Sequence, residues 1–375
     1  MKGYRTLTLL LLASCGAESP VVAPNPPPLA DAGEVEGPSA AEAPDAASNQ
    51  PDAPSPTVLP KWVEVDDLLK KGFLPASIVG DSRHAGRLVF LSSASVGPVV
   101  ALWDNGTLTV GPSRTASFPA NVEEVGVDGT GRAVLAGTVV NATTRSILSI
   151  KPDEHAWRQL DLPQGIPPGV SSGPAFVFVN PGPGGHVLLG RAGQYLKDIS
   201  GSLDNGSLDL FSAPTLATPP AARWLRWSSA DATLFAGEDR SIARCVGTAA
   251  YACDAPVSFP AGVPRQSAVL TTPADPKAVF VLSDQIHGSS DGGKTFVARE
   301  LPPSPNTSER GVVVSTVAPS KLVFFAASAR FSSSDSGATW KPLPFPPGAC
   351  VAPAFDGAGT LYTECAGKLY ATTLP

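Results

Sequence analysis

The sequence predicts an all-β chain folded as a seven-bladed β-propeller with four antiparallel strands in each blade. Three observations predict it. Residues 61–375 consist of short apolar stretches punctuated by turn residues, the pattern of strands joined by tight connections. One strand type recurs seven times at a period of about 45 residues, the length of a four-stranded blade. The last unit is one strand short, and a spare strand stands at the start of the domain.

The recurring strand occupies residues 87–91, 133–136, 187–189, 233–236, 278–281, 321–325 and 360–362. A turn and another apolar stretch precede it, as at Asp128-Gly129-Thr130-Gly131 and Asp356-Gly357-Ala358-Gly359. A third strand begins near Val99, Ser146, Gln194, Ser241, Gln285, Arg330 and Lys368. The fourth often ends in an apolar residue and proline, at Phe118-Pro119, Leu162-Pro163, Phe259-Pro260, Leu301-Pro302 and Phe345-Pro346; the third unit has Leu210-Phe211-Ser212-Ala213-Pro214 instead. The seventh unit has three strands, and Lys61-Trp62-Val63-Glu64-Val65 supplies its outer one. Trp62 matches the aromatic that opens the fourth strand at Trp157, Phe296 and Trp340. Closing the ring with strands from both chain ends removes open edges. The long third unit leaves six or eight blades open as alternatives. Residues 65–72 are the one stretch with a helical pattern.

The N-terminus reads as an export signal. Lys2 and Arg5 precede an apolar run at 7–13, too short to cross a hydrocarbon core, which takes about 20 residues. Leu12-Ala13-Ser14-Cys15 resembles the lipobox of bacterial lipoproteins. That resemblance implies a signal peptide over 1–14, cleavage before Cys15, and lipidation of Cys15, with palmitate among the acyl chains. Two or more chains hold a protein firmly, where one holds it only reversibly. Gly16 follows the cysteine where an Asp would commonly retain such a protein at the inner membrane, so the family expectation is the outer membrane of the cell envelope. The expected membrane contact is the lipid anchor alone.

Residues 15–60 read as a tether. Eleven prolines stand between 16 and 60, all seven charges there are acidic, and no aromatic residue occurs. Such a segment cannot bury enough apolar surface to offset the entropy of ordering it, and its prolines favour an extended spacer. With those acidic residues set aside, the domain over 61–375 is nearly neutral, which argues against nucleic acid as a partner. The head is expected to be monomeric.

Two loops share the form Ser-x-Asp-x-Gly-x-Thr-aromatic. They carry Ser289, Asp291, Gly293, Thr295 and Phe296, and Ser333, Asp335, Gly337, Thr339 and Trp340; their aspartates are 44 residues apart. The form resembles the Asp-box, or BNR repeat, of sialidases, sortilin-type receptors, some endoglucanases and a photosystem assembly factor. The resemblance implies a structural turn between the third and fourth strands of a blade. Asp104-Asn105-Gly106 and Asp204-Asn205-Gly206 are degenerate echoes of it.

Five cysteines are present. With Cys15 taken by lipid, four remain, an even number for an oxidising compartment. Cys350 and Cys365 lie symmetrically about the Asp356–Gly359 turn, which places them opposite each other across strands one and two. Cys245 and Cys253 flank a turn between strands three and four of the fourth unit. Two disulfides follow. The alternative, one metal site built from all four, lacks Cys-x-x-Cys spacing.

No catalytic constellation stands out. Arg132, Arg191, Arg223 and Arg330 are numerous enough for the arginine triad of sialidases, but the Phe/Tyr-Arg-Ile-Pro motif is absent. Histidines 84, 155, 186 and 287 fall in different units and read as surface turns and edges; Asp128 and Asp356 read as turn formers. No cofactor or metal is expected. The functional reading is an envelope-displayed, noncatalytic binding or assembly scaffold that takes a protein or glycan on one face. Its alternative is a carbohydrate-active hydrolase, sialidase-like or endoglucanase-like. Arg223-Trp224-Leu225-Arg226-Trp227 is the best local candidate for a contact surface, with inter-blade core as the other reading of its tryptophans.

Overall fold

The computed structural model describes residues 60–92, 98–113, 119–139, 145–162, 176–191, 195–208, 215–217, 222–238, 240–247, 251–260, 269–303, 310–326 and 329–375. The chain divides into two units, Met1–Ser55 and Pro56–Pro375. The first, with Cys15 and most of the tether, lies outside the described residues.

The second unit is a seven-bladed propeller of antiparallel sheets. Its innermost strands are Pro75–Gly80, Pro119–Val127, Phe176–Val179, Trp224–Trp227, Val269–Thr272, Gly311–Val314 and Ala354–Phe355, in blades one to seven. Blade seven runs outward through Leu361–Cys365 and Lys368–Thr372 and is completed by Val63–Asp67 from the other end of the domain. Val63 faces Ala371 and Asp67 faces Lys368 in that last pairing. Lys368 Nζ meets Glu64 at 2.8 Å, and Thr372 Oγ1 donates to Lys61 O.

The core lies between blades. Second strands are sandwiched between neighbouring sheets on both faces, and Leu361–Cys365 is buried at every position. Among the described residues, buried apolar side chains form seven clusters, one for each seam of the ring. The seam between blades seven and one packs Phe90 and Trp103 against Tyr362 and Leu369.

Three features differ from the sequence reading. In blade one the outer strand is Thr107–Val110, and Pro119 opens blade two instead of closing blade one. In blade three the outer strand is Thr215–Ala217; the stretch at 210–214 lies outside the described residues. The extra length of blade three includes a short helix, Ser200–Asn205, ended by Gly206 at φ 67°. The helical pattern at 65–72 belongs to the end of the closing strand and a turn, where Gly72 takes φ 75°.

Candidate functional site

The propeller axis is built by the seven inner strands, and one residue type organises their ends. Each inner strand runs into its turn at a short polar residue: Asp81, Asp128, Asn180, Ser228, Thr272, Ser315 and Asp356. In every case its side-chain oxygen accepts the backbone N–H two residues on. All but Asn180 are buried. A buried turn needs a partner for its inward N–H groups, and Asp, Asn, Ser and Thr can each supply one oxygen. Asp128 and Asp356 are therefore turn formers, as their sequence context implies.

These turns also tie blade to blade. Asp356 Oδ2 accepts Gly86 N at 2.6 Å, joining blades seven and one. Thr272 Oγ1 donates to Ser315 O at 2.7 Å, and Thr316 Oγ1 donates to Asp356 O. Gly129 N donates to Asn180 O at 2.9 Å. Gly129 sits so close to this neighbour that an added Cβ would lie 1.8 Å from Gly182 O, which excludes any larger residue there.

Arg83, in the first turn, reaches across the axis. Its Nε and Nη2 donate to Pro181 O at 3.1 and 3.0 Å, and Nη2 donates to Ser229 O at 3.1 Å. The guanidinium of blade one thus joins blades three and four and crosses the turn-side mouth of the channel.

Above it lies a cavity of about 240 Å³. Ile78, Val79, Val125, Val127, Val313 and Val314 give it an apolar side, and Ser82, Ser229, Thr271 and Thr316 add hydroxyl-bearing residues. Two charged side chains reach it, Glu124 and Arg226. Glu124 is already engaged. The Nε of Arg226 is buried without a hydrogen-bond partner.

Arg226 belongs to the Arg-Trp segment singled out in the sequence, and the structure divides that segment. Leu225 and Trp227 face the seam with blade three, where the Trp227 indole donates to Tyr251 Oη at 3.2 Å. Trp224 faces the seam with blade five. The tryptophans are inter-blade core, and Arg226 alone of the five lines the cavity.

The two Ser-x-Asp-x-Gly-x-Thr loops fold alike, between third and fourth strands. Ser289 Oγ donates to Asp291 Oδ1 and accepts Gly293 N; Ser333 does the same with Asp335 and Gly337, with matching distances of 2.8 Å. Thr295 and Thr339 hydroxyls donate to the second carboxylate oxygen at 2.6 Å. These bonds, the threonine hydroxyl's first, hold the Asp335 carboxyl down to about 2 and shift Asp291 in the same direction. Gly293 and Gly337 take φ 89° and 88°, the left-handed region that favours glycine. Phe296 packs against Phe259, while Trp340 packs on Phe324 and donates to Glu300 O.

The echoes are different structures. Asp104-Asn105-Gly106 makes a tight hairpin turn with φ 46° at Asn105 and 95° at Gly106. Asp204 sits in the short helix and pairs with Arg132 and Lys151. Both disulfides are present, Cys245–Cys253 across strands three and four and Cys350–Cys365 across strands one and two.

The structure does not bring the four sequence arginines together. Arg132 pairs with Asp204, Arg330 stacks over Phe345, and the side chain of Arg191 lies outside the described residues. One histidine departs from expectation. His287 is buried in a third strand, edge-on to Phe259 and 3.0 Å from Ser283 Oγ, and burial pushes its pKa down. His84 is half exposed and bonds Asp81 at 2.7 Å.

No family model matches the chain, and no curated protein matches it in sequence. Solved structures match its fold. Streptogramin B lyase superposes with a TM-score of 0.54 at 14% identity, over 84% of this chain and 98% of that one. A chain from the complex of BBS1N with ARL6DN gives 0.50 at 12% identity, over 85% and 98%. At these identities the likeness is one of fold, a propeller that serves very different proteins.

Proposed function

We propose that this chain is a lipid-anchored envelope protein whose propeller head is a noncatalytic binding module. The carrying observation is the axial cavity: a concave pocket bordered by all seven inner strands, mixing valine side chains with Ser, Thr, Glu124 and Arg226, and with Arg83 bonded to two of its lining residues, Pro181 and Ser229. Small-molecule sites are usually concave and pair apolar side chains with placed polar groups, and this cavity offers both. The lipobox at Leu12–Cys15 supports anchoring through Cys15, and the acidic, proline-rich stretch to Pro60 supports a spacer between lipid and head. The paired Ser-x-Asp-x-Gly-x-Thr loops support membership of the Asp-box propellers. Both disulfides fit an oxidising compartment beyond the inner membrane, with the outer membrane as the site of display.

Two measurements test this. Mass spectrometry of the N-terminal peptide should show acyl chains on Cys15 and none in Cys15→Ser. Ligand-detected NMR with a small-molecule library should give hits, and a glycan panel should be returned unhydrolysed. Glycan turnover would convert the reading to a carbohydrate-active hydrolase; an unlipidated Cys15 would remove the anchor.

A further inference from the structure

The ring of turn residues supplies a common register for all seven inner strands. Two positions before it stand Val79, Gly126, Phe178, Arg226, Leu270, Val313 and Ala354. Six blades place an apolar residue or glycine there, and blade four places arginine. Position along a strand alternates with a period of two, so Arg226 leans with Trp224 toward blade five. All these positions except Phe178 border the cavity.

The arginine is not required by the fold, since six other blades close without one. It also carries a cost. A guanidinium nitrogen taken out of water without a partner loses its hydration and gains nothing in return. Arg226 Nε is in that state. The other charged side chain lining the cavity, Glu124, is itself engaged. The wall around them mixes apolar side chains, six of them valines, with the hydroxyl-bearing Ser82, Ser229, Thr271 and Thr316.

We infer that Arg226 anchors a small organic carboxylate in the axial cavity, with the ligand's hydrocarbon body against the valine-rich wall. This rests on the cavity being a binding site, and adds the ligand's charge and size. A planar guanidinium offers the fork of donors that a carboxylate accepts. An apolar cavity of about 150 Å³ takes benzene, so this larger one takes a ligand of roughly eight to ten heavy atoms. A monocarboxylate of that size brings a single negative charge to the single arginine of the lining.

Calorimetric titration of the full chain, carrying Cys15→Ser to keep it off the membrane, tests this. The probes are hexanoate and benzoate, with hexanamide and benzamide as neutral controls of the same shape. The carboxylates should bind at least tenfold more tightly than the amides. Arg226→Leu, which installs the residue blade five already carries, should erase that preference and raise the melting temperature of the ligand-free protein. If Arg226→Leu does not fold, Arg226→Gln keeps a hydrogen-bonding side chain without the charge and should also erase the preference. Equal binding of acids and amides, or a preference surviving in the folded variant, overturns the inference and leaves the cavity as a binding site. Binding of none of the four probes overturns both.

Discussion

The Trp62 indole N–H donates to the Pro344 carbonyl at 2.7 Å, linking the start of the closing strand to blade six across 282 residues of sequence. The same contact recurs around the ring. Trp157 Nε1 donates to Thr109 O and Trp340 Nε1 to Glu300 O, each onto the outer part of the preceding blade. The aromatic opening a fourth strand is thus a clasp between blades, and Trp62 is the clasp that locks closure. Its ring also packs on Phe345 at 4.9 Å. Trp62→Phe should retain packing and cost about 1 kcal/mol for the lost hydrogen bond. Trp62→Ala should cost about 2–3 kcal/mol in urea unfolding. Deleting 61–67 leaves Lys368–Thr372 as an open edge and should produce aggregation on size-exclusion chromatography.

Asp335 gives the two matched loops an acid-sensitive character. Its carboxyl ordinarily titrates at 3.8 and is held down to about 2 by Thr339 and Ser333. The folded value is below the unfolded one, so its contribution is complete above about pH 4 and is lost as pH falls toward 2. Asp335→Asn should therefore lower the denaturation midpoint at pH 5 more than at pH 2.5. Equal losses at the two pH values would show that the hydrogen bonds do not favour the charged form.

The disulfides close loops with sequence separations of 8 and 15 residues in different blades. Loop entropy alone assigns about 2–3 kcal/mol to each. Cys245→Ser/Cys253→Ser and Cys350→Ser/Cys365→Ser should each cost about that much, and the quadruple variant should show their sum, because the pairs share no neighbours. Chemical denaturation of the three variants measures it.

The blade count and closing strand are legible in the sequence for a physical reason. Second strands are buried on both faces, so Leu322–Ala326 reads as a continuous apolar run. The aromatic clasp is legible too, because Trp62, Trp157, Phe296 and Trp340 all directly precede their outer strands. The ring of turn residues is less so. Four residue types supply one equivalent oxygen, and only Asp128 and Asp356 stand out as aspartates followed by glycine. Without that ring, the register that isolates Arg226 cannot be counted. The six-residue helix of blade three is shorter than any hydrophobic period can report. Asp204-Asn205-Gly206 reads as a loop echo because Gly206 ends a helix with the same left-handed backbone a turn would use.

The ring also predicts that equivalent aspartates are unequal in stability. Asp356 is 1% exposed, and both its oxygens are used. Oδ1 accepts Ala358 N and Thr360 N, while Oδ2 accepts Gly86 N from blade one and lies 3.4 Å from the Tyr362 hydroxyl. Burial first, and then this carboxylate, push the Tyr362 hydroxyl up to about 12. Asp128 is equally buried, but its Oδ1 takes Thr130 N, the Thr130 hydroxyl and Arg132 N, and its Oδ2 has no partner. An amide can replace Asp128 by turning its NH₂ to the unpartnered side. At Asp356 the same amide sets a donor against a donor, whichever way it turns. Asp128→Asn should cost no more than about 1 kcal/mol, and Asp356→Asn about 2–3 kcal/mol, by denaturant titration at neutral pH. Asp356→Ala should cost more still, because it orphans Gly86 N in a buried seam between the first and last blades.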